Sequence, residues 1–181
     1  MSVGAAATLA LFEAGPSAAH VEAREFCLDV IREFYGFAYR ADWHADLDSL
    51  AAGGAGNPYA PSRGGAFATL RDADGALIGT AGLHRLSWKS ALSASLASRY
   101  PDADRVGMVA RVYVRRARRG GGDGTRLLAA IESAAAAMGY ASLYLHASSD
   151  AAATLAFWRR RGYRDFGTID FSTHFDKPIA R

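Results

Sequence analysis

Residues 112–125 read Val-Tyr-Val-Arg-Arg-Ala-Arg-Arg-Gly-Gly-Gly-Asp-Gly-Thr, an apolar strand running into a glycine-rich turn. Beyond it, Leu127, Leu128, Ile131, Ala134, Ala135 and Met138 fall on one helical stripe, so a helix is predicted from about Thr125 to Met138, stopped by Gly139. Glycine permits positive φ and lets the backbone come close to a ligand. Successive N–H groups of such a turn form a concavity for anions, and the helix N-terminus adds partial positive charge. Arg115, Arg116, Arg118, Arg119 and Arg126 flank the turn. This chemistry suits a diphosphate with a further phosphate nearby. Two familiar phosphate loops do not fit. A P-loop needs Gly-Lys-Ser/Thr at the helix start, and no Lys is present here. A dinucleotide fingerprint needs Gly-x-Gly-x-x-Gly inside a βαβ unit near the start of the fold, which this spacing does not give.

The elements that must hold this turn are read from periodicity. Ala7 to Glu13 reads as a first strand. Pro16 and Ser17 open a helix to about Tyr35, with Val21, Leu28, Ile31 and Tyr35 at helical spacing and Cys27 on the buried face. A short acidic helix follows around Asp46 to Ala52, then a loop from Gly53 to Gly65. Ala66–Leu70 and Ala76–Leu86 read as a hairpin across Asp72-Ala73-Asp74-Gly75. Ser87 to Arg105 is an excursion with some helix. Val106–Arg115 is the clearest strand, with Met108, Ala110, Val112 and Val114 alternating with Gly107, Val109, Arg111 and Tyr113. Ser142–Ala147 is another strand. Ser149 or Asp150 is expected to cap a helix to Arg161, and Tyr163–Ile179 is strand-like, ending in the alternation Phe171, Thr173, Phe175. This order predicts an α/β fold with a sheet of mixed direction and helices on both faces.

The chain has 181 residues, 50% hydrophobic and 22% charged, with a net charge of +3. These values predict a single globular domain over 1–181 and argue against disorder. No apolar run reaches the ~18 residues of a bilayer span. Ala5–Leu11 is short, has no basic residue before it, and reads as a strand rather than a signal peptide. The single Cys27 excludes an intrachain disulfide framework and a multi-Cys zinc site, and a reducing cytoplasm is the expected location. Among 21 Lys and Arg only Lys89 and Lys177 are lysine. The basic cluster is local and lacks an aromatic stacking platform, so nucleic acid is not an expected partner; a membrane is not expected either. His20, His44 and His174 have no metal-ligand spacing, and no metal is expected.

Taken together, these segments resemble the GNAT superfamily of acyl-CoA-dependent N-acetyltransferases. Arg119-Gly120-Gly121-Gly122-Asp123-Gly124 matches the family signature Arg/Gln-x-x-Gly-x-Gly/Ala. Phe157-Trp158-Arg159-Arg160-Arg161-Gly162-Tyr163 looks like its Phe-Tyr-x-x-x-Gly-Phe segment, and Asp46-Leu47-Asp48 and Leu77–Gly82 also sit where members have similar residues. The resemblance covers Ala7 to Ile179 and implies the GNAT fold, a mostly antiparallel sheet of about seven strands. It implies acetyl-CoA as co-substrate and a primary amine of a small molecule or peptide as acceptor. It also implies that the backbone of Val112 and Val114 pairs with the pantetheine arm. The N–H groups of Arg119, Gly120, Gly121, Gly122, Asp123, Gly124 and Thr125 would hold the pyrophosphate, with the Thr125 hydroxyl added. One of Arg115, Arg118 or Arg126 would meet the 3′-phosphate.

The sequence departs from the family where protons are handled. Many members carry Glu at the position of Val109 and Tyr at the position of Trp158; Ala151, beside Asp150, stands where Asn is common. Three readings follow: other side chains serve, positioning and a backbone oxyanion donor suffice, or the domain binds acyl-CoA without turnover. By strand parity Arg111 and Tyr113 are expected to share a face with Val109 and to look into the cleft. His146, with Tyr144 on the next strand, is the first choice for a proton acceptor, because imidazole titrates near neutral pH. Tyr113 is the candidate thiolate acid. Arg111 and His84 are candidates for the acceptor pocket, Arg111 through bidentate binding of a carboxylate. A homodimer through exposed sheet edges or the last strands is a further expectation. No Cys is placed as an acyl carrier, so direct attack in a ternary complex is expected.

Overall fold

The computed structural model describes residues 7–12 and 17–179. Glu13 and Pro16, named above for the first strand and helix, lie outside the described residues. The elements in chain order are β1 (Thr8–Leu11), α1 (Ala18–Tyr35), α2 (Ala41–Ala52), β2 (Ala66–Arg71), β3 (Leu77–Arg85), α3 (Ser90–Ser95), β4 (Val106–Val114), α4 (Asp123–Ala137), β5 (Ser142–Ser148), α5 (Ala152–Arg160), β6 (Arg164–Ile169) and β7 (Ser172–Pro178). They build one seven-stranded sheet in the order β1-β2-β3-β4-β5-β7-β6. Every neighbouring pair is antiparallel except β4 with β5. No helix among the described residues is long and apolar enough to cross a membrane.

Helices cover both faces. On one face α4 and α5 bury Leu127, Leu128, Ile131, Leu155 and Trp158 against Leu83, Val109 and Leu145. Gly79 lets α4 down onto β3, since a Cβ there would stand 2.7 Å from Leu127 Cδ1. On the other face α1 and α2 bury Phe26, Cys27, Ile31, Leu47 and Leu50 over Phe67. Gly36 ends α1 in the left-handed conformation, its N–H bonded to Arg32 O. Nearer β5, Leu86, Leu96, Tyr100, Met108 and Tyr144 form a third cluster.

Three local features differ from the sequence reading. Helix α2 begins at Ala41 rather than near Asp46, because the Arg40 N–H donates to His44 Nδ1 and supplies a cap the sequence does not advertise. Neither Ser149 nor Asp150 caps α5. Asp150 Oδ1 instead accepts from Ser148 Oγ, and Ser149 Oγ meets Thr173 Oγ1. Phe171 does not continue the β7 alternation. Asp170 (φ 46°) and Phe171 (φ 65°) form the two-residue turn between β6 and β7, and Phe171 is 87% exposed at its tip.

The decisive irregularity lies in β4. Thr80 pairs with Tyr113 and Gly82 with Ala110, so Arg111 and Val112 together oppose Ala81. This is a β-bulge with Arg111 at φ 54°. A bulge shifts side-chain parity by one. Val109 therefore lies in the α4-side core, while Tyr113 packs with the α1 cluster. The parity expectation that grouped Arg111 and Tyr113 with Val109 is corrected accordingly.

Candidate active site

The glycine-rich turn occupies the place its sequence predicts. Gly120 (φ 84°) and Gly122 (φ 91°) both take the left-handed conformation, and a Cβ on either would meet nothing within 4 Å. Gly122 immediately precedes α4 and carries no capping side chain, so the first N–H groups of the helix are free for an anion. A cleft of about 510 Å³ opens above the turn. Val112 and Val114 form its floor, Gly120, Gly122, Gly124 and Thr125 its head, and Phe157 and Trp158 its far wall. The shape and donors fit a phosphorylated, partly apolar molecule.

The arginines divide by role. Arg119 turns back: Nε donates to Val114 O at 3.2 Å, and its guanidinium stacks 3.6 Å from the Phe34 centroid. Arg115 stacks on Phe26, and Arg126 donates to Ala7 O. Of the three 3′-phosphate candidates only Arg118 lines the cleft, half-exposed and 3.4 Å from Asp123. Arg160 and Arg161, at the C-terminal end of α5, line the same cleft.

Strands β4 and β5 pair only over Val106–Met108 and Ser142–Tyr144, although β4 runs to Val114 and β5 to Ser148. Past Met108 the parallel ladder is lost, and a gap opens in the sheet beside the bulge. Behind the bulge lies a buried polar network. Arg111 donates Nε to Asp46 Oδ2 (2.8 Å) and Nη2 to Asp46 Oδ1 (2.6 Å) and to Trp43 O (2.8 Å). Tyr59 Oη donates to Asp46 Oδ2 at 2.5 Å, and Thr80 Oγ1 donates to Arg111 O at 2.9 Å. Burial alone would raise the Asp46 pKa. The hydrogen bonds and charge of Arg111, with the Tyr59 hydroxyl, outweigh it and hold the carboxyl at about 2. The expectation that Arg111 binds a substrate carboxylate is corrected: its fork is already spent on Asp46.

The other candidates are placed as follows. His146 is exposed at the gap, its ring 5.6 Å from that of His174. Desolvation, then the charges of His174, Lys89 and Arg111, lower its pKa below the ordinary histidine value. Solvent access to the ring limits that depression. His84 is 1% exposed, with its ring 5.6 Å from Tyr59 and 5.4 Å from Trp88. Its Nδ1 donates to Arg85 O at 2.8 Å, which leaves Nε2 as a buried acceptor with no partner among the described residues. Burial pushes its pKa down to about 4. Tyr113 sits in the α1 cluster, 3.5 Å from Arg111 Nη1, and burial pushes its pKa up to about 12. That buried hydroxyl is a poor acid, so the thiolate-acid expectation is corrected to packing. Cys27 is fully buried, with its thiol pushed up to about 12 by burial. Val109 and Trp158 are 4% and 6% exposed within the core.

A mixed sheet split beside a bulge, with a glycine-rich turn and a helix N-terminus at the head of the split, is the framework of the site. The family model described as "Acetyltransferase (GNAT) family" matches residues 26–163, and the chain belongs to that family. Among solved structures, a GNAT-family acetyltransferase from Staphylococcus aureus superposes with TM-score 0.71 at 16% identity, covering 96% of this chain and 100% of that one. A GNAT-family acetyltransferase from Listeria monocytogenes gives 0.66 at 16% identity, covering 94% and 95%. The PaiA N-acetyltransferase from Thermoplasma acidophilum, in complex with coenzyme A, gives 0.65 at 14% identity, covering 94% and 99%. No curated protein matches the chain.

Proposed function

We propose that the protein transfers an acetyl group from acetyl-CoA to a primary amine of a small molecule or peptide, by direct attack within a ternary complex. The observation that carries this reading is the adjacency of the phosphate cradle and the sheet gap, joined by Val112 and Val114 on β4. The N–H groups from Arg119 to Thr125 receive the pyrophosphate, and Arg118 stands at the cleft for the 3′-phosphate. Past Met108 the β5-facing backbone of β4 has no strand partner, so Val112 and Val114 are free to pair with the pantetheine arm. The thioester then enters the gap, where the amine approaches from the α2–α3 side.

His146 is the proton acceptor of this proposal, since it is the exposed imidazole at the gap. With its pKa below 6.5 it is neutral at pH 7 and can take the proton from the attacking nitrogen. His84 Nε2 lies buried behind the acceptor side, a lone-pair acceptor with no partner among the described residues. Protonation of the departing thiolate is left to solvent. Cys27 is sealed under α1, which supports direct attack over an acyl-enzyme.

A second reading is a non-catalytic acyl-CoA-binding module. It is favoured by Val109 and Trp158, neither of which can exchange a proton, at the positions where many members of the family carry Glu and Tyr. Thiol release from acetyl-CoA across a panel of amines separates the two. Amine-dependent release supports the transferase. Tight CoA binding with no release on any amine supports the module.

A further inference from the structure

Eight large apolar side chains stand exposed among the described residues, and five of them fall on two connections. Tyr35, Tyr39 and Trp43 lie where α1 passes into α2, with the half-buried Phe37 between them. Ile169 and Phe171 lie at the β6–β7 turn. Each connection is tied to one lip of the sheet gap. Trp43 O accepts from Arg111 Nη2 on β4 at 2.8 Å, and Phe171 O accepts from Ser149 N, just past β5, at 2.9 Å. Across the ladders His146 is opposite His174, and Ser148 is in line with Ser172 and Ile169, so these residues share one face. Aromatic surface continues along it from His146 to His174 (5.6 Å) and on to Phe166 (5.9 Å).

The Phe171 lip is not explained by the fold. A two-residue hairpin turn with positive φ at both positions favours Asn-Gly, which tolerate the left-handed region. Here the pair is Asp170-Phe171, at φ 46° and 65°. A bulky residue is strained there, and at 87% exposure the Phe171 ring gains no burial to offset the strain. On the other lip Trp43 is 48% exposed yet held in place: Phe37 meets its ring edge-on at 5.3 Å, and the Arg40 guanidinium lies 3.8 Å from it. The carboxylates of this lip are occupied, Asp42 by Arg40 (3.3 Å), Asp46 by Arg111 and Asp48 by Arg24 (2.8 Å). It offers ring surface rather than free negative charge, which matches an apolar body and not a polyamine.

We propose that Trp43 and Phe171 determine specificity by seating the body of the acceptor, and that the amine taken at this gap is an aralkylamine, joined by a short alkyl chain to an aromatic ring. This rests on the acceptor site given under Proposed function. An aromatic pair in edge-to-face or offset geometry strengthens binding about two- to tenfold beyond the area it buries. The test compares phenethylamine and tryptamine with ethanolamine and putrescine. Binding to CoA-saturated protein is measured by calorimetry, turnover by thiol release, and the melting midpoint is taken for each variant. The aralkylamines should bind about tenfold or more tighter than the other two. Phe171→Asn and Trp43→Ala should each cut that preference several-fold, through KM rather than kcat. Asn fits the turn, and Trp43→Ala keeps the backbone carbonyl that Arg111 uses, so both variants should fold. Phe171→Asn should melt no lower than wild type.

Equal binding of the four amines, or a preference unchanged in either variant, would overturn the proposal. A lower midpoint for Phe171→Asn would assign Phe171 to the fold and overturn it as well. So would a dimer in sedimentation that Phe171→Asn dissociates, which would assign the lip to a second copy of the chain. Because binding is read separately from turnover, aralkylamines that bind through these residues but are never acetylated would sink the transferase reading while leaving this one standing. Acetylation of every amine with no ring preference would do the reverse.

Discussion

Replacing Asp46 with Ala tests whether the ion pair behind the bulge holds the active-site end of β4. The Asp46 side chain is 2% exposed and that of Arg111 14%. Truncation removes both Arg111–Asp46 hydrogen bonds and the Tyr59 bond at once. It leaves a guanidinium buried with only Trp43 O and a long contact to Tyr113. Breaking a buried pair from one side costs about 3–5 kcal/mol. The pKa supports that scale from another direction. A carboxyl held at about 2 against an ordinary 3.8 corresponds to roughly 2–3 kcal/mol of pH-dependent stability. Its folded pKa is depressed, so this contribution is present above about pH 4 and is lost as pH falls toward 2. Urea unfolding of wild type and Asp46→Ala at pH 7 and near pH 3 is the assay. The destabilisation should be large at pH 7 and smaller in acid. A loss below about 1 kcal/mol at pH 7, or one independent of pH, would refute the reasoning, because exposed pairs behave that way.

Three further outcomes are expected. Gly122→Val should lose CoA binding by calorimetry while keeping its circular dichroism, at a strain cost of about 1–2 kcal/mol from the positive φ; retained affinity would remove the pyrophosphate from this turn. His146→Gln should lower kcat/KM by about 10²–10⁴-fold. In wild type the neutral imidazole is the working form, so its acid limb should lie below pH 6.5, with activity falling as pH drops through the lowered pKa. An unchanged rate and profile would send the proton elsewhere. Cys27 should resist alkylating reagents in the folded protein and react on unfolding, its thiol being buried and pushed up to about 12; rapid labelling of native protein would contradict that placement.

The sheet, its helices and the glycine turn were legible because each rests on a local signal. Alternation marks β4, a buried stripe marks α4, and adjacent glycines mark a backbone that must take positive φ. The interior of the site was less legible. One extra residue at Arg111 changes nothing in composition but reverses the facing of everything beyond it, so Tyr113 moved from the cleft to the α1 core. Arg111 looked like a free guanidinium because its partner Asp46 lies 65 positions away in sequence. Nothing in their own segment marks Arg160 and Arg161 as cleft residues, because the cleft they line is made with the separate β4–α4 turn. Contacts of that separation leave no periodic trace.

The central claim, acetyl transfer to an amine by direct attack, is tested most directly by rapid-quench single turnover with enzyme in excess over acetyl-CoA. Without acceptor, thiol should not be released and no acetylated protein should be seen by mass spectrometry. With an accepted amine, thiol and acetylated amine should appear together in equal amounts. Acetyl-CoA that stays intact with every amine, or an acetyl group found on the protein before the amine is added, would contradict the claim.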